Sequence, residues 1–189
     1  MAINLEKKQS INLTKEEPTL NNIFVGLGWD ESDGTVGELD ADVSVFMLGV
    51  DHKIPAEPYL VFYNNLTSAD GSVIHQGDNR TGEGEGDDES INIDLSKVNP
   101  AIEQMMFVVT IHDAEARNQD FSNLDNSFIR ICDNNSGNEL CRFTLNNDFA
   151  GSDSVQIGRL YRSGEEWGFE AMGDPFQGGL STLIGLYVN

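Results

Sequence analysis

Positive charge is scarce in this chain, and that scarcity excludes several kinds of partner. Lys and Arg together number 11 among 189 residues, against 32 Asp and Glu, so the formal net charge is -21 and the isoelectric point is about 4.1. Proteins that bind nucleic acids need a basic surface to neutralise phosphates, so we expect no nucleic-acid partner. Direct docking on anionic lipid is also disfavoured, unless a cation bridges the two negative surfaces.

Long apolar runs are missing as well. No stretch reaches the roughly 18 consecutive apolar residues that a membrane-spanning helix needs. The nearest, GGLSTLIGLYVN at 178–189, is too short. The opening residues, MAINLEKKQSINL, contain no apolar core of the kind found in secretory signals. We therefore expect a cytoplasmic protein with no direct membrane insertion.

Cysteine is limited to Cys132 and Cys141, which lie on either side of the turn sequence DNNSGNEL. A two-residue loop at Ser136 and Gly137 would place them opposite each other on a hairpin, where a disulfide is conceivable. A cytoplasmic location favours two free thiols instead, because disulfides are rare in reducing compartments. No histidine lies nearby in the sequence, so the pair does not indicate a zinc site.

Recognisable catalytic motifs are absent too. The chain contains no GxSxG, no phosphate loop ending in GK[ST] and no HExxH. Its histidines, His52, His75 and His112, show neither HxH nor HxxxH spacing, so a transition-metal site gains little support. We therefore expect a protein that is not an enzyme.

What the chain does contain is a series of short β-strands. Strands are predicted at 11–13, 22–27, 42–50, 59–63, 72–76, 91–95, 105–112, 128–133, 139–145, 155–162 and 167–172. The runs at 42–50 and 105–112 are apolar on both faces, which indicates strands covered on both sides. Helices are predicted only at 96–104, 116–124 and 180–187. Many short strands joined by glycine-rich turns predict a mainly β fold, a two-sheet β-sandwich with a few short peripheral helices, in one domain spanning 1–189.

The most informative segment is 78–89, which reads DNRTGEGEGDDE and holds six carboxylates among three glycines. Carboxylates so close together repel one another, at roughly 1 kcal/mol for two charges about 4 Å apart in water and more where water is excluded. Hard oxygen ligands on a flexible backbone suit Ca²⁺. The segment begins with Asp and ends with Glu like an EF-hand loop, but Arg80, Gly82 and Glu83 break that pattern. A different oxygen cage or a solvated acidic hairpin remain the two interpretations.

A second acidic segment lies at 30–42, DESDGTVGELDAD, again with six carboxylates. If both segments lie at the same end of the sandwich, Asp30, Asp40 and Asp42 could supply oxygen ligands from one side and 78–89 from the other. A polar turn unrelated to metal is the alternative.

Five motifs in order resemble the TerD family of bacterial tellurium-resistance and stress proteins. They are GLGWD at 26–30, LDADVSVFMLG at 39–49, HQGDNRTGEGEGDDE at 75–89, VTIHDAEARNQDF at 109–121 and LYRSGEEWGFEAMG at 160–173. The resemblance covers nearly the whole chain, and the block at 75–89 is the most specific part. It implies a cytoplasmic β-sandwich of the stress response that binds one or two Ca²⁺ ions, with partners among other stress-operon or membrane-associated proteins.

The resemblance also implies a set of metal ligands. These are Asp30, Asp40, Asp78, Asn79, Glu83, Glu85, Asp87, Asp88 and Glu89. Three hypotheses follow. In the first, Ca²⁺ orders the acidic segments of a non-enzymatic protein for partner docking. In the second, the protein is a scaffold or interaction module whose metal is incidental. A Ca²⁺-dependent hydrolase is the third, although no nucleophile stands out.

Overall fold

Two six-stranded sheets form the framework of the computed structural model, which describes residues 2–31, 39–77, 86–145 and 149–189. The first sheet contains, in spatial order, β1 (Ile3–Leu5), β10 (Glu139–Thr144), β9 (Leu124–Asp133), β3 (Asn22–Glu31), β7 (Glu89–Asp94) and β6 (Val73–His75). The second contains β2 (Ser10–Asn12), β12 (Glu166–Phe176), β11 (Ser154–Ser163), β8 (Gln104–Ile111), β4 (Ala41–Leu48) and β5 (Leu60–Val61). Apart from the parallel pair β1 and β10, neighbouring strands run antiparallel. The predicted mainly β, two-sheet architecture is confirmed.

Strand periodicity explains the core between the sheets. In β7 buried and partly exposed residues alternate, so Ile91 and Ile93 point inward, as expected for a strand with one solvated face. By contrast β4 and β8 are buried at every position. Their outer faces are covered by helix α3 (Gly179–Tyr187), whose Leu183 belongs to a second apolar cluster with Phe46 and Met106. The prediction of two strands covered on both sides is therefore confirmed.

The described residues contain three α-helices, as many as predicted, but only one of them lies fully where it was predicted. Helix α1 (Leu13–Glu16) and helix α2 (Ala114–Arg117) are single turns, and α3 matches the prediction at 180–187. The prediction of one continuous helix at 116–124 is wrong, because Asn118 adopts a left-handed φ of 53° that ends α2, and only a 3₁₀ turn at Phe121–Asn123 follows. None of the helices in the described ranges is long and apolar enough to cross a membrane.

The predicted helix at 96–104 is also wrong. The segment is a series of turns, and Gln104 already begins β8. Tertiary hydrogen bonds hold it open: the backbone N–H of Asn99 donates to Asp70 Oδ2 at 2.8 Å, and its amide donates to the hydroxyl of Tyr59 at 2.8 Å. Nine residues with a proline among them make a marginal helix, so these contacts decide the conformation.

The loop between β9 and β10 spans 134–138, as the predicted strands at 128–133 and 139–145 imply. It is longer than the two-residue loop at Ser136 and Gly137 that would place the two cysteines opposite each other. The carboxylate of Asp133 organises it by accepting the backbone N–H groups of Asn135 at 3.0 Å and Ser136 at 3.2 Å. An Asp side chain that hydrogen-bonds the backbone two residues onward builds its own turn, which the glycine-based prediction overlooked.

This longer loop changes the relation of the two cysteines. Cys132 pairs with Glu139 and Cys141 with Ile131, so the two cysteines do not lie opposite each other. Cys141 points into the core between the sheets, whereas Cys132 lies outside that core cluster. Strand alternation places them on opposite faces of the sheet. Both are buried, free thiols.

Candidate metal centre at the acidic pole

The topology brings the described flanks of both acidic segments to one end of the sandwich. Strand β3 ends just beyond Asp30, and β7 pairs with it antiparallel so that Glu89 lies opposite Leu27. Strand β4, which follows the other acidic segment, begins at the same end with Ala41. We call this end the acidic pole and define it by Asp30, Asp40, Asp42 and residues 87–89. The described residues that flank the two acidic segments therefore lie at the same end of the sandwich, although the segments are far apart in sequence.

Glu89 connects the two sheets at the acidic pole. Its Oε2 atom accepts the backbone N–H of Val43 in β4 at 2.6 Å and lies 3.5 Å from Nε2 of His75 in β6. Both side chains are 1% exposed. Because β6 and β7 flank the segment 78–85, this carboxylate joins both sides of that segment to the opposite sheet. The predicted ligand Glu89 therefore has a structural role within the protein.

The backbone of β3 holds Asp88 at the acidic pole. Its N–H donates to the carbonyl of Leu27 at 2.7 Å, and its Oδ2 accepts the N–H of Trp29 at 2.7 Å. The register of β3 shifts beside Trp29, which directs that N–H to the carboxylate. Burial raises the pKa of Asp88; the Trp29 hydrogen bond lowers it, and the charges of Asp30 and Asp87 raise it further, so the net shift is upward.

Burial is the largest cause of the upward shift in the pKa of Asp88. The like charges of Asp30 and Asp87 repel the Asp88 carboxylate and add to that shift. A divalent cation between Asp30 and Asp88 would remove that repulsion. The local electrostatics therefore fit an oxygen-bound cation.

The candidate ligands from the acidic segment at 30–42 lie at the same pole. Asp30 is exposed, and its Oδ2 accepts the side-chain amide of Asn126 at 2.7 Å. The backbone carbonyl of Asp40 accepts the N–H of His112 at 2.7 Å. Asp42 is buried, and its Oδ2 lies 3.8 Å from Nδ1 of His112. Oxygen atoms from β3 and from the start of β4 thus approach the pole from two sheets.

Asp87 is engaged differently from its neighbours. Its carboxylate forms a two-pronged ion pair with Arg130 of β9, with Oδ1 2.8 Å from Nε and Oδ2 2.6 Å from Nη2. The hydrogen bonds to Asp87 raise the pKa of Arg130, so the guanidinium is permanently charged. Sequence reasoning missed Arg130. The glycines of the GLGWD motif were the available signal, since glycine inside a strand marks a close approach of other groups.

The other predicted ligands, Asp78, Asn79, Glu83 and Glu85, lie outside the described residues. Among residues within the described ranges, no three His, Cys, Asp or Glu side chains are grouped so as to hold a metal ion. Carboxylate and carbonyl oxygens at the pole are hard donors of the kind that Ca²⁺ takes. The described residues therefore offer a part of an oxygen donor set whose chemistry suits Ca²⁺.

Comparisons of the sequence with a family model and with known proteins agree on one family. The TerD domain family model matches residues 1–187. Tellurium resistance protein TerD of Serratia marcescens is 42% identical over 187 residues, covering 99% of this chain and 97% of that protein. General stress protein 16U of Bacillus subtilis (strain 168) is 45% identical over 184 residues, covering 97% of this chain and 95% of that protein.

A solved structure shows the same fold. The crystal structure of a homologue of telluride resistance protein (TerD) from Streptomyces coelicolor A3(2) superposes with a TM-score of 0.70 at 21% identity. The match covers 87% of this chain and 95% of that one.

Proposed function

This chain belongs to the TerD family, and on that premise we propose that it is a cytoplasmic, non-enzymatic, Ca²⁺-binding stress protein whose cation orders the acidic pole for partner docking. Its relatives carry the names of tellurium-resistance and general stress proteins, which supports a resistance or stress role. The observation that carries the Ca²⁺ proposal is convergence: Asp30 and Asp40 share one end of the sandwich with Asp88. Binding at that end would neutralise charges that the fold has already brought together.

Calorimetric titration of metal-stripped protein tests the proposal most directly. We expect heat on addition of Ca²⁺, a stoichiometry of one or two ions, and weaker binding of Mg²⁺, which requires stricter geometry and gives up its water reluctantly. A cation that binds only the folded state at about 100 times its Kd stabilises it by about 2.7 kcal/mol. For a chain of this size that corresponds to a rise in Tm of about 5–10 °C in CaCl₂ relative to EGTA. No heat and identical melting curves would reject Ca²⁺ as a ligand.

Two variants with the same change of charge locate the site. Asp88→Asn removes a carboxylate at the acidic pole, and we expect Ca²⁺ affinity to fall about tenfold or more, as for loss of a charged ligand. Asp51→Asn is the matched control. Asp51 is exposed beyond the opposite end of β4, and its Oδ1 accepts the local N–H of Lys53 at 3.1 Å. Equal effects of the two variants would mean that net charge, and not a site, governs the response.

Partner docking requires its own assay. We expect a partner captured by the wild type in Ca²⁺ to be lost in EGTA and lost with the double variant Asp78→Asn/Asp88→Asn. If the double variant lowers Ca²⁺ affinity but capture stays intact, the protein is a scaffold whose metal is incidental.

A further inference from the structure

Given the Ca²⁺ function proposed above, we infer that Arg130 is a positioning residue: it clamps Asp87 onto β3 and so holds Asp88 in place at the acidic pole. Asp87 then serves the cation site as an anchor and not as a ligand. The ligand assignment carried over from the family resemblance changes at this one position.

The ion pair has the geometry of a rigid clamp. Both carboxylate oxygens of Asp87 face the guanidinium, with Oδ1 2.8 Å from Nε and Oδ2 2.6 Å from Nη2. The side chain of Asp87 is 9% exposed and that of Arg130 is 30% exposed. Planar, two-pronged pairing of this kind fixes orientation as well as distance. A cation that took Asp87 as a ligand would have to displace this partner.

Arg130 is itself held from its other side. Its Nη1 lies 3.3 Å from Oε2 of Glu139, and Glu139 pairs with Arg142 at 2.9 Å. Arg142 in turn stacks on the ring of Phe128, 4.2 Å from its centroid. This chain of contacts runs along the outer face of β9 and β10, so the guanidinium is in position before any cation binds.

The surface of β3 is shaped to receive the clamped residues. Gly26 and Gly28 are two apart and share one face of the strand. A Cβ on Gly26 would overlap the carboxylate of Asp87. One on Gly28 would overlap the ring of Phe128 and approach the carbonyl oxygen of Gly86 to 2.7 Å. Neither glycine has a positive φ, so what these positions require is space. The missing side chain of Gly26 makes room for Asp87, and that of Gly28 makes room for both Phe128 and Gly86.

The ion pair between Arg130 and Asp87 affects the cation site through the neighbouring residue, Asp88. Asp88 directly follows Asp87 and is fixed by Leu27 and Trp29 of the same strand. Loss of the ion pair would let residues 87–88 move. Binding a cation would then also carry the entropic cost of ordering these residues. Preorganised ligands bind more tightly because this ordering has already occurred.

The direction in which one substitution changes Ca²⁺ affinity distinguishes the clamp from simple electrostatics. Arg130→Gln removes a positive charge close to a cation site, so Coulomb's law alone predicts tighter Ca²⁺ binding. Loss of a clamp predicts the opposite. We expect the Kd for Ca²⁺, measured by calorimetry on metal-stripped protein, to rise about tenfold for Arg130→Gln, with Arg130→Lys falling in between because it keeps the charge but not the fork.

Two further variants test the clamp from its other sides. Asp87→Asn should weaken Ca²⁺ binding about as much as Arg130→Gln, and the double variant should be no worse than either single one, since both remove one interaction. Gly26→Ala changes no charge but places a methyl group where the Asp87 carboxylate lies, and we expect a similar rise in Kd.

Arg159→Gln is the matched control. Arg159 forms an ion pair of similar exposure with Glu170 on the other sheet. Its Nη2 and Nε lie 2.7 Å and 2.8 Å from the same carboxylate oxygen, Oε2, and its side chain is 33% exposed. Arg159→Gln should lower the Tm in EGTA about as much as Arg130→Gln does but leave the Kd for Ca²⁺ within twofold of the wild type. A purely structural role for Arg130 would make the two variants alike in both measurements.

The outcomes are distinct. Wild-type protein that binds no Ca²⁺ would overturn the proposed function and the clamp together. Wild type that binds Ca²⁺ while Arg130→Gln binds equally or more tightly would overturn the clamp alone. Additive losses for Arg130→Gln and Asp87→Asn would show that Asp87 contacts the cation after all, and would also overturn it.

Discussion

Glu89 offers the sharpest test of the acidic pole, because its structural and metal-binding roles predict different results. In the metal-free protein, Glu89→Ala removes the acceptor of the buried Val43 N–H, which donates to Glu89 Oε2 at 2.6 Å. A hydrogen bond to a charged group contributes about 1.5–3 kcal/mol, and a buried donor left unsatisfied costs about 1–3 kcal/mol. These terms overlap, so we expect a loss of about 2–3 kcal/mol in the free energy of unfolding.

That loss corresponds to a fall in Tm of about 4–12 °C for a chain of this size. The measurement is a thermal or urea melt in EGTA, repeated in CaCl₂. Glu89→Gln is the control, because its amide oxygen can still accept the Val43 N–H; we expect less than half the loss. If Glu89→Ala melts at the wild-type temperature in EGTA and differs only in CaCl₂, Glu89 is a metal ligand without a structural role, and the reasoning from its contacts is refuted.

Two further predictions concern other parts of the fold. Burial raises the pKa of Asp70, but hydrogen bonds from Ser72, Asn99 and Ser68 outweigh it, so the folded pKa is lowered. Its contribution is therefore complete above the unfolded value, near 3.9, and is lost as pH falls through the lower folded pKa. Asp70→Asn should cost about 1 kcal/mol at pH 7, and urea melts in EGTA should show the gap from wild type closing below about pH 4; a gap independent of pH would contradict this. Burial raises the pKa of the Cys141 thiol to about 12, so at pH 8 only about one molecule in ten thousand carries the thiolate. Thiol titration should find Cys141 unreactive in the native protein and reactive after denaturation, whereas rapid native labelling would show that this part of the sheet opens readily.

Much of the fold follows from local pattern. The alternation around Ile91 and Ile93 predicts one buried strand face. The run at 42–50, apolar on both faces after its first residues, predicts a strand covered on both sides. The structure has both, with the second strand at Ala41–Leu48. These predictions succeed because side-chain direction along a strand is a local property. The segment 96–104 shows the limit of the method, because the tertiary partners Asp70 and Tyr59 decide its conformation.

The candidate site, like the fold, could be predicted only in part from the sequence. An excess of carboxylates around glycines is visible in the sequence and indicates a hard cation. That Asp30 and Asp88 belong to one pole follows from the pairing of β3 with β7, which no local pattern specifies. Glu89 is visible as a carboxylate, but its contacts with Val43 and His75 depend on the packing of one sheet on the other.

The sequence by itself determined the composition of this protein: its negative charge, its strand-forming runs and the clustering of its oxygen donors. Only the tertiary structure decided the partners of those groups. Arg130 and Asp87 are 43 residues apart and meet because β9 and β7 both pair with β3. The physical reason is that charge and periodicity are carried by neighbouring residues, whereas an ion pair requires two distant strands to be brought together by sheet pairing, which depends on the whole chain.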